Sequence, residues 1–312
     1  MATDIPFYDF SEYLKAKFPD FKVQKISVNA GFTCPNRDGS KGRGGCIYCN
    51  NSSFTPGYCD QYSSITNQIE EGKWFFSRKY PEMRYLAYFQ SYTNSYADID
   101  VVISRYNEAL SIPDVEGLII ATRPDCMPDA VLEYLYEVSK SKFIFIEYGA
   151  ESCNNAVLER VNRCHTWQDT VATVERTSKY GLDCGLHLIL GLPEEDRDSM
   201  LSSAEEVSKL PIKSLKLHQL QIIRATQLAK EYKDNPDIVH LFDVEEYLML
   251  VSDFIERLRP DIALDRFVSQ CPPEYLIAPC WGLKNYEFTA KLIKSMQQRG
   301  SYQGVLYKND KE

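Results

Sequence analysis

Three cysteines carry the strongest chemical signal in the chain. Cys34, Cys46 and Cys49 stand in a C-x11-C-x2-C pattern inside the segment CPNRDGSKGRGGCIYCN. Glycines at positions 39, 42, 44 and 45 give this loop the backbone freedom to wrap a bulky object. Its amides can also point at sulfides or other anions. Three neighbouring thiolates suit either an iron–sulfur cluster or zinc. A structural zinc site wants four ligands, and Cys59, ten residues on, is the nearest candidate for the fourth. A cubane held by three thiolates instead leaves one iron open to a cofactor or substrate. The other cysteines are scattered at 59, 126, 153, 164, 184, 271 and 280, and read mainly as small buried hydrophobes. Cys271 and Cys280 are a weak candidate pair for an auxiliary cluster.

A loop of this kind needs a rigid frame, and the flanking sequence supplies one. Short apolar runs alternate with amphipathic stretches, as βαβ units do. The runs are Val23 to Asn29, Tyr85 to Gln90, Gly117 to Thr122, Phe143 to Tyr148, Cys184 to Leu190 and Ser214 to Ile222. Between them lie helical patterns over Ile65 to Tyr80, Val101 to Leu110, Ala130 to Lys140, Thr166 to Tyr180 and Ser199 to Leu210. Near-continuous apolar strands joined by helices imply a parallel sheet. Right-handed crossovers curl such a series into a partial (β/α)6 TIM-type barrel, with a cleft at the strand C-termini. A doubly wound open sheet gives the same periodicity. The expected organisation is a helical lead-in over 1–22, a barrel over 23–225, and a small C-terminal α/β extension or cap over 226–312. In that last part, Val244 to Leu258 and Tyr286 to Arg299 read as helices, and Asp261 to Phe267 as a seventh strand.

The formal net charge of −9 argues against a general nucleic-acid coat protein but allows a local basic patch. No apolar run is long enough to span a membrane. The N-terminus lacks the basic start and apolar stretch of a signal peptide, so cytoplasm is the expected location. In a reducing compartment, clustered cysteines mean metal ligation or catalysis before disulfides.

The cysteine loop resembles that of radical S-adenosylmethionine (SAM) enzymes. The eleven-residue first gap is similar to the branch that contains the elongator catalytic subunit, and the whole loop to the bacterial YhcC-type subgroup. The likeness runs from about Val23 to Leu292. It implies a partial barrel of the radical SAM kind, and a 4Fe-4S cluster on Cys34, Cys46 and Cys49 whose open iron chelates SAM. Reductive cleavage there yields methionine and a 5′-deoxyadenosyl radical, with a reductant such as flavodoxin or ferredoxin as partner.

The same resemblance implies the SAM contacts. Gln90, Ser91, Tyr92 and Thr93 stand where the family has a turn that meets the SAM amino group. Glu147-Tyr148-Gly149-Ala150-Glu151-Ser152 and the following Asn162-Arg163 resemble a family segment that contacts ribose and carboxylate. Those roles fall to Glu151 and Arg163, with Glu replacing the family's Gln. Ile189 would pack on adenine and Gly191 would let the chain pass close, while His187 points inward if the strand alternates. Relatives often carry an acidic residue where Ala121 stands. Arg123, His218 and Gln219 are further cleft candidates.

The branch resemblance also implies a tRNA substrate, at a wobble-type uridine. Lys41, Arg43, Lys284, Lys291, Lys294 and Arg299 are candidate phosphate contacts, and Tyr58, Tyr62, Tyr92 and Trp281 candidate base-stacking rings. Solvated helix faces and core aromatics account for the same residues. Too few residues follow the barrel for an acetyltransferase-like domain. Two other functions fit: a radical enzyme acting on a small metabolite, and a non-catalytic zinc or iron–sulfur binding module.

Overall fold

The computed structural model describes residues 5–77 and 82–308. The apolar runs become strands: β1 Val23–Val28, β2 Arg84–Phe89, β3 Val115–Thr122, β4 Phe143–Glu151, β5 Asp183–Leu190, β6 Ser214–Gln219. The short β7 Ile222–Ile223 follows, then β8 Ala263–Arg266 and β9 Leu276–Ala278. Helices are α1 Phe10–Lys17, α2 Ile65–Ser77, α3 Ile99–Leu110, α4 Asp129–Ser139, α5 Asn155–Arg160, α6 Trp167–Lys179, α7 Arg197–Ser208, α8 Gln227–Asp234, α9 Val244–Arg257 and α10 Asn285–Gln298. The end of the first expected helix, Arg78 to Tyr80, lies outside the described residues.

Seven strands form one parallel sheet in the order β1-β2-β3-β4-β5-β6-β8. The order never reverses, as a doubly wound sheet requires. Instead the sheet curls: Lys25 on β1 reaches Asp265, on the last strand, at 2.6 Å. The result is a seven-stranded half-barrel: β8 falls within the Asp261 to Phe267 stretch read as a seventh strand, and it joins the six barrel strands in one sheet rather than a separate extension. The stretch read as Ser214 to Ile222 splits, because β7 leaves the barrel to pair antiparallel with β9. α5 and α8 escaped the sequence reading because each is short.

The barrel interior is layered. At the strand N-termini, α1 forms a stopper. Its Phe10 and Tyr13 pack with Leu86, Ile119 and Phe145 in an apolar cluster. Phe10 and Tyr13 meet Phe145 edge-on at 5.4 and 5.7 Å and stack on each other at 5.2 Å, and Tyr13 Oη donates to Asp183 at 2.7 Å. The larger core lies between the outer face of the sheet and α2, α3, α4, α6, α7 and α9. Burying these faces is what drives the fold. Above the stopper the barrel is polar and open.

Candidate active site

A cavity of about 250 Å³ opens at the strand C-termini, where parallel α/β sheets bind ligands. Cys34, Cys46 and Cys49 all line it. The loop that carries them is shaped by turns, with Cys49 N donating to Cys46 O at 3.0 Å and Gly45 N to Asn36 O at 2.8 Å. Donors are aimed at the sulfurs. Arg163 Nη1 reaches Cys46 Sγ at 3.5 Å, Asn36 Nδ2 the same sulfur at 3.7 Å, and Asn51 Nδ2 Cys49 Sγ at 3.8 Å. Burial and the adjacent Cys46 push the Cys49 thiol up to about 11, whereas binding of a metal by a thiol favours the thiolate.

These donors suit a thiolate-held cluster. Among the described residues no three Cys, His, Asp or Glu side chains group as ligands of one metal ion. A cubane needs no such common point, because each thiolate takes a different iron. Cys59 does not complete the set: it is buried outside the cavity, its Sγ donates to Ser27 O at 3.0 Å, and burial pushes it up to about 12. Cys271 lines the cavity, whereas Cys280 is exposed.

The structure brings most of the expected SAM contacts to this cavity. Gln90, Tyr92, Thr93, Glu151, Arg163, His187 and Ile189 line it. Ser91 does not; it is buried, with its hydroxyl 3.0 Å from Thr55 Oγ1. Gly191 also differs from expectation: a Cβ there would sit 2.8 Å from the Phe242 ring, so its close approach is to that ring. Glu151 owes its place to a break in register. The β4–β5 pairing shifts between Gly149 and Glu151, and Glu151 adopts φ +72°, which turns its side chain to the cavity. Gly149 leaves room beside it: a Cβ would lie 2.5 Å from Glu151 Oε1 and 2.8 Å from Arg163 Nη2, so both side-chain ends would have to move.

Arg163 is heavily committed. It donates to His165 Nε2 at 2.9 Å and Gly149 O at 2.6 Å, and faces Glu151 at 3.4 Å. Burial, then the Arg163 charge, hold His165 down to about 3, so its neutral ring accepts that bond. Arg123 also lines the cavity; it grips Asp125 and donates to Arg163 O, and its Nη1 is buried with no partner. Tyr48 Oη, equally buried, has no partner either.

The cavity floor was largely missed from sequence. Glu147 sits beside Ala121 in the β3–β4 register, so the acid that strand β3 lacks comes from β4. Its Oε2 takes Lys216 Nζ at 2.6 Å and His187 Nε2 at 3.0 Å, while Lys25 lies 3.7 Å from Oε1. Asp265 joins Lys25 at 2.6 Å and Lys216 at 3.2 Å. Burial alone would raise the Glu147 carboxyl, but Lys216, Lys25 and His187 hold it well below the usual range. The same lysines hold Asp265 down to about 2 against its burial. Lys216 also lies 4.8 Å over the Tyr88 ring. The available signal was a charged residue within apolar runs: Lys25 in VQKISV, Glu147 in FIFIEY and Lys216 in SLKLHQ.

Of the rings considered for base stacking, Tyr92 lines the cavity and Tyr62 is exposed. Trp281 packs parallel to Phe288 and bonds Phe242 O, so it belongs to the core of the C-terminal part. Lys41 is paired with Asp125, and Arg299 with Asp253 and Glu256. Among the described residues no helix is long and apolar enough to cross a membrane.

Comparison with known proteins converges on one family. The model of the Radical SAM superfamily matches residues 33–207, and that of the Radical_SAM C-terminal domain residues 212–298. Protein YtqA of Bacillus subtilis (strain 168) is 31% identical over 99% of this chain and 95% of its own length. Protein YhcC of Escherichia coli (strain K12) is 33% identical over 89% of each. A tRNA uridine(34) acetyltransferase of Methanocaldococcus jannaschii is 25% identical over 38% of this chain and 22% of its own length. The solved structure of an N-terminally truncated archaeal Elp3 from Methanocaldococcus infernus has the same fold, with TM-score 0.66 and 15% identity over 91% of this chain and 64% of that one. The chain therefore belongs to the radical SAM superfamily of enzymes and to its YhcC-type group, whose membership implies a 4Fe-4S cluster and SAM.

Proposed function

We propose that this chain uses a cluster on Cys34, Cys46 and Cys49 to cleave SAM and start a radical reaction on tRNA, at a wobble-type uridine. The observation that carries the reading is the convergence of the three cysteines and seven family-type SAM contacts on one cavity. The tRNA part draws support from the partial likeness to a tRNA uridine(34) acetyltransferase, whose acetyl transfer is not carried over to this chain.

When bound, the cluster and SAM supply a 5′-deoxyadenosyl radical that removes hydrogen from a substrate carbon. The chain's own residues position and shield. Arg163 and Asn36 donate to the Cys46 sulfur. Glu151, held by Arg163, offers its carboxylate to ribose hydroxyls, and Ile189 offers an apolar face to adenine. Arg163, to which the resemblance gives the SAM carboxylate, already bonds His165, Gly149 O and the Cys46 sulfur, so the unpartnered Arg123 Nη1 beside it joins it as a donor suited to that carboxylate. The α1 stopper keeps water from the far end. At the rim, Tyr92 and Phe54 present rings for an extruded base.

Anaerobically reconstituted protein, given SAM and dithionite, should form 5′-deoxyadenosine; none formed would overturn the whole reading. RNA from a deletion strain should lack or accumulate a modified uridine relative to wild type. Identical nucleoside profiles would remove the tRNA substrate and leave a small-metabolite enzyme.

A further inference from the structure

The ion network on the cavity floor leaves one charge over. Lys25 and Lys216 face Glu147 and Asp265 at 2.6–3.7 Å, two cations against two anions. Beside them Arg266 ends β8, in register with Lys216, and lines the cavity half-buried. Among the described residues no carboxylate pairs with it. Its charge acts on Tyr88 and His218, whereas Arg123 and Arg163 act on the cysteine thiols. The cavity therefore has two separate positive poles, one at the loop and one on the floor.

The neighbours of Arg266 do not neutralise it. Burial, with His187, Arg266 and Lys216 close by, holds His218 well below the usual imidazole range, so its ring is uncharged. His218 Nδ1 lies 2.9 Å from Ser269 Oγ, which leaves Nε2 for a ligand. A second feature of the floor lacks a hydrogen bond: Glu147 Oε1 is buried in the cavity wall, with Lys25 Nζ 3.7 Å away and no donor at hydrogen-bond distance. A half-buried guanidinium in such a setting attracts an anion more strongly than one in open water. Its planar fork matches two oxygens of one group.

We propose that Arg266 receives an oxyanion of the substrate, a carboxylate or a phosphate, on the cavity floor. A second substrate group that donates a hydrogen bond meets Glu147 Oε1. The proposal rests on the radical SAM reading of this cavity and names a chemical feature of its substrate. Held by its oxyanion at the floor, the substrate places its next carbons between the floor and the cysteine loop.

The test titrates the full reconstituted chain with acetate and with inorganic phosphate, against chloride at constant ionic strength, by calorimetry and thermal melting. One of the two oxyanions should bind saturably where chloride does not, which also separates a carboxylate from a phosphate. Arg266→Gln should weaken that binding by at least about tenfold, and Arg266→Lys, which keeps the charge but not the fork, by about threefold. Equal responses to acetate, phosphate and chloride overturn the proposal, as does wild-type affinity in Arg266→Gln. Should that variant fail to fold, wild-type affinity in Arg266→Lys overturns it. Formation of 5′-deoxyadenosine by the wild type is scored separately. Cleavage without oxyanion binding sinks the role of Arg266 alone, and oxyanion binding at Arg266 without cleavage sinks the radical reading alone.

Discussion

The mouth of the cavity and its floor are built in opposite ways. At the mouth, three cysteines share one loop, and buried polar atoms such as Arg123 Nη1 and Tyr48 Oη stay unpartnered. On the floor, Lys25 and Asp265 are 240 positions apart in sequence, yet they meet with Glu147 and Lys216 in a network that satisfies most of itself. Groups that a ligand will complete are left open, at the mouth and at Arg266 beside the floor network, whereas Lys25, Lys216, Glu147 and Asp265, which shape the site, balance one another. The difference teaches where binding energy is held in reserve and where it is already spent on preorganisation.

The comparison can be broken most severely at the mouth. Cys46→Ser removes a sulfur that Arg163 and Asn36 address. Iron bound on anaerobic reconstitution should fall from about four per chain to a small fraction. Cleavage of SAM should drop by at least about a hundredfold, because the ligand set is incomplete. Full iron and full activity in this variant would mean that the mouth is not completed by a cluster. The melting temperature of the metal-free chain should hardly move.

The floor should behave in the reverse sense. Glu147→Gln leaves Lys216 and Lys25 facing a neutral amide, and breaking a buried ion network of this kind costs roughly 3–5 kcal/mol. Urea unfolding measures this, and a loss below about 1 kcal/mol would show that the network is not internally balanced. The pH dependence has a definite sign. Asp265 is held down to about 2, below an ordinary carboxylate, so its stabilisation is present above about pH 4 and is lost as the pH falls toward 2. Acid unfolding of the wild type should steepen in that window.

How much of this was readable beforehand follows the same division. The loop was legible because ligand spacing is local, and so were the seven sheet strands, the five helices between the first six of them and the two C-terminal helices, because each has its own period. The floor was not legible, because strand curl, not sequence distance, brings β1 against β8. Lys25 and Glu147 stood out as charges in apolar runs, but nothing in one dimension says that they meet. Ser91 stands apart from its neighbours Gln90 and Tyr92 for a finer reason: adjacent residues at a strand end point different ways, and its hydroxyl meets Thr55.

That residue supplies the smallest expected effect. Ser91→Ala should cost about 1 kcal/mol through the lost hydrogen bond. SAM affinity should stay within about twofold, in contrast to changes at Glu151. A large loss of SAM affinity would return Ser91 to the mouth.

The helix that stoppers the strand N-termini turns the half-barrel into a cul-de-sac. Phe10 and Tyr13 shut the far end, so traffic passes the cysteine loop in both directions. Reactant and spent cofactor then share one corridor and must queue. A large substrate is admitted by its tip alone, and the chain need recognise only what protrudes.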